Sequence, residues 1–122
     1  MFEEISPREY ENVDKTKYPY LFSGDEETVI PDRLYKHNDY LIGLTLSLDV
    51  AFIDILCLGE KENILSECRD LLKRLFKIFN YIGFYYPEGY KTEILVKRMI
   101  KKHKIIHDSS VDGFKTTIIE EV

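Results

Sequence analysis

The stretch from Tyr40 to Leu58 constrains the fold of this chain more than any other segment. It is apolar through most of its length and approaches the span of a bilayer. Asp49 and Asp54 interrupt it, as do Thr45 and Ser47. A carboxylate near a bilayer centre costs roughly 2.5–3.5 kcal/mol on insertion scales, so the stretch reads as a buried element of a soluble domain. Two periods fit it. Ile42, Leu44, Leu46, Leu48, Val50 and Phe52 alternate with smaller or polar residues, which is a strand period, while Leu41, Leu44, Leu48, Phe52 and Ile55 share a helical face. Length favours the helix: the run is too long for an ordinary strand and has no turn residue after Gly43. Asn38 or Asp39 suits its start and Gly59 its end. The expectation is a central helix over 39–58.

The next segment has a single period. Ile64, Leu65, Cys68, Leu71, Leu72, Leu75, Phe76, Phe79 and Ile82 recur at spacings of mostly three and four, predicting a helix over 60–82 stopped by Gly83. Residues 83–90 read as an aromatic loop. A third helix runs from Thr92 to about Lys104, with Ile94, Leu95 and Met99 inward. Lys104–His107 and Phe114–Val122 have strand character, joined through the segment Ser109-Ser110-Val111-Asp112-Gly113 as a hairpin connection. Near the N-terminus, Ser6-Pro7-Arg8-Glu9 has the form of a capped first turn, Tyr18–Phe22 reads as extended and Thr28–Ile30 as a short strand halted by Pro31.

Together these segments predict an α+β, mainly helical single domain over 1–122. A central antiparallel helix pair (39–58 and 60–82), a third helix and a C-terminal β-hairpin make up residues 37–122, and residues 1–36 form a loosely structured wrapping segment. With 44% hydrophobic and 13% aromatic residues in 122, the chain can fill one core.

Charge bears on partners rather than on fold. Residues 1–62 hold fourteen Asp/Glu against six Lys/Arg, and residues 63–122 hold eleven Lys/Arg against eight Asp/Glu. The N-terminus lacks a secretory pattern, and Cys57 and Cys68 form no Cys-x-x-Cys. These features point to a cytoplasmic protein with two small buried thiols, and to no membrane partner.

The motifs that could carry chemistry are incomplete. His103 and His107 have the spacing of a paired zinc face, but the intervening Glu is missing and the segment turns towards strand. Asp108-x-Ser110-x-Asp112-Gly113 has the first half of a calcium loop, yet its twelfth position is Ile119. Asp49 and Asp54 would point about 140° apart on a helix, too far for a carboxylate dyad. No phosphate-binding glycine loop or nucleophile elbow is present. The expectation is therefore a protein that is not an enzyme, with no cofactor and no metal; His103, His107 and Asp108 are the only catalytic candidates.

Nine tyrosines and an acidic N-terminal half suit a surface that binds a basic protein. The profile (small, acidic, Tyr-rich, without a catalytic motif) is similar to that of toxin-neutralising immunity proteins. It implies an inhibitor or adaptor occluding the basic active site of a toxin such as a nuclease. The residues expected to do so are Asp25, Glu26, Glu27, Asp32, Tyr35, Glu60 and Glu62. The alternative is a winged helix-turn-helix regulator that places the basic helix 91–104 on DNA through Lys97, Arg98, Lys101 and Lys102.

Overall fold

The Tyr40–Leu58 stretch is a β-hairpin. In the computed structural model, which describes residues 1–13 and 30–121, strand β3 (Tyr40–Ser47) pairs antiparallel with β4 (Val50–Cys57), from Tyr40↔Cys57 to Ser47↔Val50. The turn is Leu48-Asp49, with Leu48 at φ +57° in the left-handed region and fully exposed. Helix was expected here because no Gly, Pro or Asn marks that turn. A two-residue turn also changes the parity of the buried positions, from Ile42 and Leu44 to Ala51, Ile53 and Ile55. The single alternation that seemed to run unbroken through Phe52 thus belongs to two strands.

The sheet has seven strands in the order β1-β2-β3-β4-β5-β7-β6, and every pair except β4 and β5 is antiparallel. Its outer members on one side are β1 (Glu3–Ile5) and β2 (Arg33–His37). Residues 3–5 and 33–37 are therefore sheet strands rather than part of a loose wrap. Between β1 and β2, a 3-10 helix (Pro7–Asn12) forms where the capped turn was expected, the Ser6 hydroxyl accepting from the Arg8 N–H at 3.4 Å. The extended Tyr18–Phe22 piece and most of the Thr28–Ile30 strand lie outside the described residues.

The mainly helical expectation is overturned. Two α-helices are present among the described residues, α1 (Leu65–Phe76) and α2 (Lys91–Met99). The expected helix 60–82 is shorter at both ends. Residues 60–63 are tied to the β2–β3 turn, and Tyr81–Pro87 is strand β5 rather than an aromatic loop. In β5, Ile82, Phe84 and Tyr86 point into the core. Gly83 does not stop a helix. It lies within β5, where a Cβ would come within 2.5 Å of the Phe52 ring. The C-terminal hairpin forms as β6 (Lys104–Val111) and β7 (Phe114–Glu120), turned by Asp112 and Gly113, both at positive φ.

A parallel pair needs a crossover, and α1 supplies it between β4 and β5. Both helices cover one face of the sheet. Cys68, Leu71, Leu72 and Leu75 of α1, with Val96 and Met99 of α2, bury against Ile42, Leu44, Ile53, Phe84 and Ile119. The other face carries a smaller cluster, in which Tyr10 and Val13 cover Leu34, Leu41 and Leu56.

Candidate functional site

The parallel ladder is short. Val50–Ile53 of β4 pairs with Tyr81–Phe84 of β5, and there it ends. Beyond it, Asp54–Cys57 continue beside Gly43–Tyr40 of β3, while Tyr85–Pro87 continue beside Thr116–Phe114 of β7. The sheet splits at the carboxyl ends of its two parallel strands, where open sheets with crossover helices bind ligands. Among the described residues, Asp54–Leu56 pair with no strand on their β5-facing side.

A cleft of about 290 Å³ opens beside the split, under the N-terminal ends of α1 and α2. Ile55, Ile64 and Leu95 give it an apolar lining; Tyr40, Cys57, Tyr90 and Thr92 bring hydroxyls and a thiol; Lys61, Lys91 and Glu62 stand at its rim. Tyr40 is structural. Its hydroxyl donates to the Glu62 carbonyl at 3.1 Å and accepts from the Glu62 N–H at 3.0 Å, and burial holds its phenol above the usual range. The Cys57 thiol donates to the carbonyls of Gly59 and Glu60. Tyr90 is 62% exposed.

The connection from β4 to α1 is not an anion cradle. A helix N-terminus binds phosphate through free backbone amides. Here the Leu58 N–H goes to the Asp39 carbonyl, that of Glu60 to Asp39 Oδ2, that of Glu62 to Tyr40 and that of Leu65 to Asn63 Oδ1. Glu60 and Glu62 add negative charge, and Glu62 Oε1 accepts from Asn38 at 2.7 Å.

Of the expected partner-binding residues, the described ones lie in different settings. Asp25, Glu26 and Glu27 lie outside the described residues. Asp32 accepts the Leu46 N–H at 2.7 Å and so fastens a strand end. Tyr35 is 4% exposed, in the main core. Glu60 and Glu62 are exposed on the β4–α1 connection, with Glu62 at the cleft. Of the basic set, Lys97 pairs with Glu93 at 3.7 Å, and Arg98 and Lys102 reach a groove between the helices. Lys101 is exposed in the turn after α2. Strand β5 runs between the two helices and the hairpin extends the sheet, so the winged-helix arrangement is absent.

The remaining motif residues have local roles. His103 stacks on Phe76 with centroids 5.3 Å apart, and His107 bonds Ser109 from within β6. They therefore do not share a helical face. Asp108 pairs with Lys115 and accepts from Thr117 across the hairpin, and Ser110 donates to Glu88. Cys68 is buried, and burial with the nearby Glu67 charge pushes its thiol up to about 12; Cys57 is only half-buried. Asp54 lies on the second face, where the Tyr10 hydroxyl donates to Oδ2 at 2.6 Å. Burial raises its carboxyl to about 6 despite that bond. Among the described residues no helix is long and apolar enough to cross a membrane.

The cleft residues Tyr40, Cys57, Tyr90 and Thr92 went unread as a group because they meet only through the split. The available clue was the alternation of Ile82, Phe84 and Tyr86 after a helix, the mark of a β-α-β unit.

No protein-family model and no curated protein matches the chain. The crystal structure of a probable acetyltransferase is similar in fold, with a TM-score of 0.57 over 97% of this chain and 89% of that one, at 18% identity. At that identity the likeness establishes the fold. It also corrects the expectation of a protein that is not an enzyme: that expectation rested on missing motifs, whereas this framework is one on which a probable acetyltransferase is built.

Proposed function

We propose that the chain is an acyl-transfer domain whose donor enters the cleft between the end of β4 and the start of α2 as an extended, amide-bearing thioester. The split of the parallel strands carries this reading. Acyl carriers such as coenzyme A present the acyl group on a flexible arm. An amide-bearing arm can add as an extra strand would along Ile55–Leu56 of β4, where no strand pairs on that side among the described residues. Ile55, Ile64 and Leu95 suit its methylenes. The fit stops at phosphate: the connection's amides are engaged internally, and Lys61 and Lys91 at the rim are offset by Glu60 and Glu62. The donor is thus recognised by its arm. Among the cleft's hydroxyls and thiols, Tyr90 stands nearest solvent and is assigned to protonate the departing thiolate.

Occlusion of a basic toxin has less support, because Tyr35 is in the core and Asp32 fastens a strand.

Calorimetry with acetyl-pantetheine and acetyl-coenzyme A tests the proposal. With the cations at and beyond the end of α2 removed by Arg98→Glu/Lys102→Glu, both should bind within about threefold of one another, since each tenfold corresponds to about 1.4 kcal/mol and the cleft offers the phosphates no cradle. Leu95→Trp should abolish both while preserving the fold. Failure of both thioesters to bind at millimolar concentration overturns the reading. Much tighter binding of the coenzyme overturns recognition by the arm alone.

A further inference from the structure

At the other end of α2, the two helices enclose a second groove, of about 430 Å³. Arg69 and Lys73 line it from α1, four residues apart, and Arg98 and Lys102 line it from the end of α2 and the following turn, also four apart. Like charges at that spacing repel. Leu72 and Met99, both buried, form its floor. Among the described residues, no carboxylate lines it. The ion-paired acids of these helices are turned elsewhere, Asp70 to Arg74 at 3.5 Å and Glu93 to Lys97 at 3.7 Å. With the described residues, none of the four cations forms an ion pair. Arg69 donates to the Arg98 carbonyl at 3.2 Å, which fastens one row to the other. His103 closes the groove, and its Nδ1 is buried without a hydrogen-bond partner among the described residues. Buried polar atoms are nearly always satisfied, so a nitrogen of this kind points to a missing acceptor or donor.

We propose that this groove binds a phosphate-ester ligand carrying two or more adjacent phosphates, with its organic part over Leu72 and Met99. Two facing cation rows suit a chain of phosphates better than a single anion. Guanidinium groups fit phosphate oxygens through paired N–H donors, and lysines add point charges. The site is separate from the cleft, and acetyl-pantetheine, which carries no phosphate chain, tests the acyl-transfer reading without engaging this groove. Free nucleotides and nucleic acid ends share this chemistry.

The test is titration of the full chain with inorganic tripolyphosphate, ATP and a ten-residue oligothymidylate. Tripolyphosphate and ATP should bind and weaken steeply between 50 and 200 mM salt. The exposed double substitution Arg98→Glu/Lys102→Glu should weaken binding at least tenfold, whereas Lys101→Glu, outside the groove, should change it less than threefold. An oligonucleotide that binds no tighter than ATP supports a free nucleotide. One that binds tighter, with a steeper salt slope, supports a nucleic acid backbone. The proposal is overturned if tripolyphosphate and ATP fail to bind at 50 mM salt, if the double substitution has no effect with the melting profile unchanged, or if polyglutamate binds as tightly as tripolyphosphate.

Discussion

The cleft and the groove are built on the same two helices and the same sheet face, yet their chemistry is opposite. Ahead of α1 and at its first residue, the backbone amides of Glu60, Glu62 and Leu65 are engaged by Asp39, Tyr40 and Asn63. The carboxylates of Glu60 and Glu62 stand there instead. Farther along, cations line a groove without a carboxylate. Acids near helix starts and bases near helix ends both complement the helix dipole, so sign alone identifies no site. The difference lies in partners: four amides leading into α1 are engaged internally, whereas the groove's cations form no ion pair among the described residues.

The same truncation at the two ends should separate a packed floor from an open lining. Leu72→Ala, under the groove, should cost about 3 kcal/mol because a fully buried leucine leaves a cavity. Denaturant melts would read this directly, and a loss below about 1 kcal/mol would mean that the floor is not closed. Leu95→Ala, in the cleft wall, should cost only about 1 kcal/mol because less of its apolar surface is buried. Equal losses would erase the contrast.

Charge offers a second contrast, between the exposed cations of the groove and Asp54 beneath the 3-10 helix. Burial raises Asp54 from its ordinary 3.8 to about 6, so the folded chain holds this proton more tightly than the unfolded chain does. Stability should therefore fall as pH rises from about 3.8 to about 6, and this contribution should be flat above that range. Asp54→Asn should remove the slope and stabilise the protein at pH 7.5 by about 2 kcal/mol, read from melts across pH. An unchanged slope would show that other groups set it. A Cβ on Gly43 would come within 2.7 Å of the Asp54 carboxylate, so Gly43→Ala should disturb this pocket as well.

The smallest effect is expected at the β3–β4 turn. Leu48 holds a left-handed backbone with its side chain in solvent. Leu48→Gly should relieve that conformation and raise stability by about 0.5–1 kcal/mol in the same melts, the left-handed penalty outweighing the flexibility added to the unfolded chain. A loss of stability would mean that Leu48 makes contacts that hold the turn.

Two hairpins show how much of the fold was legible. In β6–β7, Asp112-Gly113 accepts positive φ readily and the hairpin was legible, although Ser109–Val111, expected in the connection, extend strand β6. In β3–β4 the corresponding turn is Leu48-Asp49, which carries no such mark, and the apolar run around it satisfies helix and strand periods alike. The hydrophobic period of α1 was legible because only a helix buries Cys68, Leu71, Leu72 and Leu75 together. Its ends were not, because contacts with the β2–β3 turn and the start of β5 set them.

By itself, then, the sequence determined the buried face of α1, the presence of a helix at 91–99, the C-terminal hairpin and the charge of each segment. These follow from local period, turn chemistry and composition. It did not determine that Tyr35 is buried or that Ile94, expected inward, is exposed. Tertiary structure alone decided that Tyr40–Leu58 folds back on itself, that β4 and β5 part after four pairs, and which charges lack partners. Those outcomes depend on contacts between residues distant in the chain. Strand pairing exchanges hydrogen bonds with a remote segment, and only the assembled sheet shows where that exchange stops and a cleft begins.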